Sequence, residues 1–172
     1  MRAHRHLEVA LAKAAQHVGM QVDCERFIPE LYQQLAACED GETRIKKAIM
    51  DVVLAAPGVE SLLLVDVSIR SAVAARYSTS ASPGFAARTG EADKFRRYDA
   101  SVLPLVFECG GRLGVASRES LVSIVSTAAA ARLCHPSSVA SWRSRCERAV
   151  LWATADVALR ASGAAASLGH MC

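Results

Sequence analysis

The sequence has no apolar run long enough to cross a bilayer. Apolar stretches such as Ser61–Val65 and Leu121–Val125 fall well short of the ~20 residues a span needs. No apolar signal core follows the first residues, Met1-Arg2-Ala3-His4-Arg5-His6, so no secretion signal is expected. With 10 glycines and 5 prolines in 172 residues, collagen-like and proline-rich sequence are excluded. The six cysteines (24, 38, 109, 134, 146, 172) form no close pairs. That spacing argues against a disulfide framework and for reduced thiols in an intracellular protein. Cys24 and Cys109 are expected as small core residues. Cys134-His135 and Cys146 have no C-x-x-C or H-x₃-H partner for zinc. Gly110-Gly111-Arg112-Leu113-Gly114 lacks the Lys-Ser/Thr of a phosphate loop, and no serine sits in a nucleophile elbow.

What is present is a globular composition. Hydrophobic residues make up 52% and charged residues 22%, which excludes a wholly disordered chain. A chain of this length buries about 70% of its unfolded surface without staples. The net charge of +3 is unevenly spread: residues 1–83 carry 9 basic and 10 acidic side chains, residues 84–172 carry 11 and 7. All but one of the later 11 are arginine. This balance permits a nucleic-acid partner without requiring one.

Apolar spacing predicts a helix over His4–Val18, stopped by Gly19. Met20–Ile28 reads as a strand ended by Pro29, Glu30–Thr43 as a loop or irregular helix, and Ile45–Leu54 as a second strand. After a Pro57-Gly58 turn, Ser61–Ile69 reads as a central strand, apolar on both faces at Leu62–Val65. A Ser-rich loop over Ser78–Pro83 leads to a helix over Phe85–Tyr98 and a fourth strand over Val102–Cys109. Alanine-rich helices are expected over Ser117–Leu133 and Ser138–Ala161, with Pro136-Ser137-Ser138 giving a break and an N-cap. The tail 163–172 is expected to fray.

Two predicted strands carry a carboxylate, Asp51 and Asp66, which is costly in an apolar strand without a partner or a metal. Joined by a hairpin, these aspartates can face each other and hold Mg²⁺ through oxygen ligands. Taken alone, such an aspartate is more often a strand-end cap or an arginine partner. Glu91, Lys94 and Tyr98 fall at i, i+3 and i+7 on one helix face. Lys94 can reach the aspartates if that helix packs on the sheet, whereas the bland alternative is a solvated Glu91–Lys94 pair. Glu108 is a third strand acid, open to a role as metal ligand, as a base behind the ligands, or as the partner of Arg112.

These elements together resemble the PD-(D/E)xK nuclease superfamily. More narrowly, they are similar to the restriction-like endonuclease domain associated with reverse transcriptases of non-LTR retrotransposons. The resemblance covers residues 4 to 125 and rests on residues taken in order. These are Arg5-His6, Gly19, Val22, Glu25-Arg26, Met50-Asp51-Val52-Val53, Val65-Asp66-Val67-Ser68-Ile69, Glu91-x-x-Lys94-x-x-x-Tyr98 and Pro104-Leu105-Val106-Phe107-Glu108-x-Gly110-Gly111-Arg112-Leu113-Gly114. It implies an α+β restriction-endonuclease-like αβββαβ core, a mixed four-stranded sheet flanked by helices, over residues 1–133. Two extra C-terminal helices are added to this fold, and residues 134–172 form a helical appendage with a frayed tail. By the same resemblance Asp51 stands at the first motif aspartate, with Met50 in place of the family proline. Asp66 stands at the acidic position of the (D/E)xK element. Ser68 occupies the lysine position, and Lys94 fits the substitution by a lysine from the following helix.

The implied activity is that of a hydrolase cutting DNA phosphodiester bonds. Asp51, Asp66, Lys94, Glu91 and Tyr98 are the catalytic candidates. Asp51, Asp66 and Glu108 are the metal candidates, for Mg²⁺ with Mn²⁺ as substitute. Arg96, Arg97, Arg143, Arg145 and Arg148 are candidates for backbone phosphates. DNA is the implied partner, with a reverse-transcriptase domain or a second copy beside it, no membrane, and nuclear residence. The competing expectation is a catalytically inactive nuclease-fold module that binds nucleic acid or a protein. A third is an assembly domain that uses its Ala-rich terminal helices as a dimer seam.

Overall fold

Leu7, Leu11, Ala14 and Ala15 recur at helical spacing, and they seal α1 (Ala3–His17) against a sheet. The computed structural model describes residues 3–35, 41–74 and 82–169, without the side chains of 3, 153 and 156–169. Gly19, at φ +91°, turns the chain out of α1 in a conformation that only glycine adopts without strain. β1 (Gln21–Phe27) follows, then the short helices α2 (Pro29–Gln34) and α3 (Gly41–Lys47). β2 (Ile49–Ala55) pairs antiparallel with β1, and β3 (Leu63–Arg70) antiparallel with β2. α4 (Phe85–Tyr98) then carries the chain over so that β4 (Leu103–Glu108) lies parallel to β3. α5 (Val115–Ala130) and α6 (Val139–Gly169) complete the order. The result is an α+β arrangement around a four-stranded mixed sheet, in spatial order β1-β2-β3-β4. No helix among the described residues is long and apolar enough to cross a membrane.

Strand alternation divides the sheet's two faces. Val65, Val67, Leu105 and Phe107 enter one core with Leu7 and Leu11 of α1, Ile124 of α5 and Trp142 of α6. Each such side chain contributes about 1.5–3 kcal/mol of burial. The opposite face, which carries Asp66 and Ser68, is covered by α4. That helix comes so close that a Cβ on Gly90 would lie 2.9 Å from Val106 Cγ1. A smaller cluster of Ile28, Leu31, Met50, Val53, Tyr98 and Val102 closes the end of this face.

The outer edge of β4 is covered rather than left open. Val106 N donates to Ser117 Oγ (2.8 Å), and Gly114 N donates to Val106 O (3.0 Å). Ser117 in turn donates to Glu91 Oε1 of α4 from both Oγ (2.6 Å) and N (2.7 Å). Gly114, at the head of α5, offers no capping side chain, so the Glu91 carboxylate supplies the missing acceptor from a neighbouring helix.

Several local expectations are corrected. Ile45 belongs to α3, and the strand expected over Ile45–Leu54 begins at Ile49. An i,i+4 Glu42–Lys46 pair at 2.5 Å supports this polar turn of helix. Pro29 opens α2, where its missing N–H costs nothing, instead of only ending β1. Cys24 is exposed and Cys109 half-buried; among the described residues the buried cysteine is Cys146. β1 is an edge strand with most side chains in solvent, which is why Cys24 fails as a core residue. The cap of the 136–138 turn is the His135 ring nitrogen, which accepts from Ser137 N, not a serine hydroxyl. α6 runs past Ala161 to Gly169. Most of the Ser78–Pro83 loop and the end of the tail lie outside the described residues.

Candidate functional site

The site forms where β2 and β3 part. Their ladder runs through Leu54↔Leu63, Val53↔Leu64 and Val52↔Val65, and the next step would set Asp51 opposite Asp66. There the backbone pairing stops and side chains take over. Val67 N donates to Asp51 Oδ2 at 2.6 Å, and Val67 O accepts from Lys94 Nζ at 3.3 Å. Backbone groups that lose a strand partner must find another, and here two charged side chains fill the place of the strand. The Asp51 and Asp66 carboxyls are close enough to shift one another's titration, and Lys94 Nζ lies 2.5 Å from Asp66 Oδ1. Asp51, Asp66 and Lys94 are thus brought together from β2, β3 and α4.

α1 reaches the same gap from the other face of the sheet. His4 spans two carboxylates, with Nδ1 2.7 Å from Glu8 Oε1 and Nε2 3.2 Å from Asp51 Oδ2. Arg5 Nη1 donates to the second Glu8 oxygen at 2.7 Å. One ligand atom from each of His4, Glu8 and Asp51 lies within 4.8 Å of the others, an arrangement able to hold a metal ion. His4 and Glu8 are not among the candidates the sequence pattern offers, where Arg5-His6 of this helix carries the resemblance. A signal was there: Glu8 stands on the stripe of Leu11, Ala12 and Ala15, where a carboxylate is anomalous.

The electrostatics follow from burial opposed by pairing. Burial pushes the Asp66 carboxyl up, Lys94 pulls it back, and the Asp51 charge raises it further. Asp51 is also pushed up by burial, but hydrogen bonds from His4, Asp66 and Val67 outweigh this and hold it below the usual carboxylate range. The pair therefore divides into one firmly ionised carboxylate and one that retains its proton more readily. The Asp51 hydrogen bond raises His4 above its ordinary value despite partial burial. Burial lowers Lys94, although Asp66 opposes the fall.

The remaining candidates lie elsewhere. Glu91 is buried, not solvated, and its Oε1 is committed to Ser117 at the head of α5. Tyr98 sits in the smaller apolar cluster, where burial pushes its hydroxyl up to about 12 and the Asp66 charge adds to the rise. Glu108 pairs in register with Arg70, four residues along β3 from Asp66, which is about 13 Å. Its carboxylate stands near Ala87 N (3.4 Å) and Arg112 Nε (3.6 Å). Glu108 is therefore outside the cluster around Asp51. Arg96 and Arg97 are exposed at the end of α4, Arg96 beside Asp93 (3.4 Å) and Arg97 over the Tyr98 ring. Arg143, Arg145 and Arg148 lie on α6, on another element from the carboxylates. Compared with protein-family models, curated proteins and solved structures, the chain finds no significant match in any of the three.

Proposed function

We propose that this chain is a restriction-like endonuclease domain of the PD-(D/E)xK type that hydrolyses DNA phosphodiester bonds with a divalent metal ion. One observation carries the reading. Two aspartates meet where adjacent antiparallel strands part, and a buried lysine from the next helix lies 2.5 Å from one of them. The sheet order, three antiparallel strands followed by a parallel fourth, is in keeping with an αβββαβ core. A reverse-transcriptase-associated role, with nuclear residence, belongs to the same proposal.

The donor set suits Mg²⁺ or Mn²⁺. Asp51 and Asp66 offer hard oxygen ligands, and Glu8 and His4 extend the set on the α1 side. A bound divalent ion would stabilise charge on the phosphate and make water a better nucleophile. Asp51, ionised by its hydrogen bonds, anchors the anionic side of the site. Lys94 holds Asp66 in place and brings a cation whose proton is loosened by burial, suited to a phosphate oxygen or an attacking water. Arg96 and Arg97 grip backbone phosphates.

A second reading has its own support. His4 and Lys94 already neutralise Asp51 and Asp66 through direct contacts, and Ser68 stands where the motif places lysine. An inactive module that binds nucleic acid would look the same. Cleavage of supercoiled plasmid and single-stranded DNA decides between them. In Mg²⁺ or Mn²⁺ the wild type is expected to cut, and Asp66→Ala and EDTA to abolish cutting. A folded wild type that binds DNA through Arg96 and Arg97 but never cuts it would establish the inactive module.

A further inference from the structure

We propose that α6 carries a docking face for single-stranded nucleic acid, with Trp152 as a base-stacking platform and Arg145 and Arg148 as phosphate contacts. The chain has 2 tryptophans, both on this helix, and they have opposite surroundings. Trp142 is 3% exposed in the main core, whereas Trp152 is 74% exposed. Leu151 beside it is also exposed, at 48%. So large a ring held in water on a well-formed helix is an apolar surface awaiting a partner.

The charge around it selects the partner. Arg145, Arg148 and Trp152 fall at i, i+3 and i+7, on one stripe of α6. Glu147, the nearby acid, lies 3.3 Å from Arg143. Arg145 and Arg148 are therefore left without an ion pair among the described residues, and Arg148 donates to Ser144 Oγ at 2.6 Å. Arg148, Leu151, Trp152 and Ala155 line a shallow pocket of about 260 Å³, open to a flat ring. Unpaired cations on one side of an exposed indole match a strand of alternating phosphates and free bases. Bases of a duplex are stacked inward and cannot reach the indole, so the fit is to a single strand.

This rests on the proposed function only for its partner class, nucleic acid, and not on hydrolysis. The test uses the full chain in EDTA at low salt, with labelled dT20 and a 20-base-pair duplex. Anisotropy reads binding, and tryptophan emission reads the platform, because Trp142 is shielded in the core. Binding of dT20 is expected to quench the emission and to be tighter than binding of the duplex. Trp152→Ala is expected to weaken dT20 about tenfold, within the range for loss of one stacked base. Trp152→Phe, which keeps an aromatic face, retains most of the affinity and guards against a folding defect in the alanine variant. Arg145→Ala with Arg148→Ala lowers the salt slope by about 1.4, because two phosphates are no longer neutralised. Binding without quenching, unchanged affinity in Trp152→Ala, preference for duplex, or no binding at all would each overturn the proposal. Metal-dependent cleavage that persists in Trp152→Ala leaves the nuclease reading standing, so the two fail separately.

Discussion

Lys94 is the one lysine among the 11 basic residues after position 83, and it is buried against Asp66. Spacing alone put Asp51, Asp66 and Lys94 on compatible faces, because strand and helix periods are local. His4 and Glu8 were not legible as part of this group, since α1 meets β2 only through tertiary packing. In the nuclease reading Lys94→Ala is expected to slow single-turnover cleavage about 10²–10³-fold. Ser68 lies on the same strand face as Asp66, and its Oγ has no hydrogen-bond partner. The double variant Lys94→Ala, Ser68→Lys is therefore expected to regain part of the lost rate. His4 gives a pH signature without any metal. Its folded pKa is raised above 6.5, so its stabilisation is fully present below pH 6.5 and is lost as pH rises through the raised value. Thermal melts in EDTA are expected to show a decline on that alkaline side that His4→Ala abolishes. An equal decline in the variant would remove the His4–Asp51 contact as its cause.

At the scale of elements, α4 and α5 lie on opposite faces of the sheet and meet at the edge of β4. The i, i+3 relation of Glu91 and Lys94 was visible in the sequence. What was not visible is that both are buried and serve different partners, because the position of α5 depends on contacts distant in sequence. Glu91 and Ser117 join α4, α5 and the edge of β4 in one network. Ser117→Ala leaves buried groups unpaired and is expected to cost about 1–3 kcal/mol in denaturant unfolding. Gly114→Ala would drive a methyl group into the Glu91 carboxylate and is expected to destabilise as well. Neither variant is expected to change cleavage per folded molecule. A selective loss of rate in folded Ser117→Ala would return Glu91 to the catalytic group.

At the scale of the molecule, the order of strands and helices was legible because turns and alternation are short-range signals. The placement of α6 was not, since its alanine-rich surface carries no mark of what it meets. Trp142, Cys146 and Val150 enter the same core as Leu7 and Leu11, so the first half of α6 shares the core with the preceding residues. Removal of residues 137–172 is expected to abolish cooperative unfolding and expose that core to aggregation. Burial pushes the Cys146 thiol up to about 12, so it is expected to resist thiol reagents until the fold opens. Exposed Cys24 is expected to react in the native state. Mass spectrometry of brief labelling checks both, and early labelling at Cys146 would contradict the docked α6.

The central claim is that Asp51, Asp66 and Lys94 form one metal-dependent cleavage site. The most direct measurement is single-turnover cleavage of supercoiled plasmid in Mg²⁺ and in Mn²⁺ by the wild type beside Asp51→Ala, Asp66→Ala and Lys94→Ala, each shown to be folded. Wild-type cutting that is lost in all three variants is the expected result. Cutting that survives in Asp66→Ala, or a folded wild type that cuts in neither metal, would contradict it.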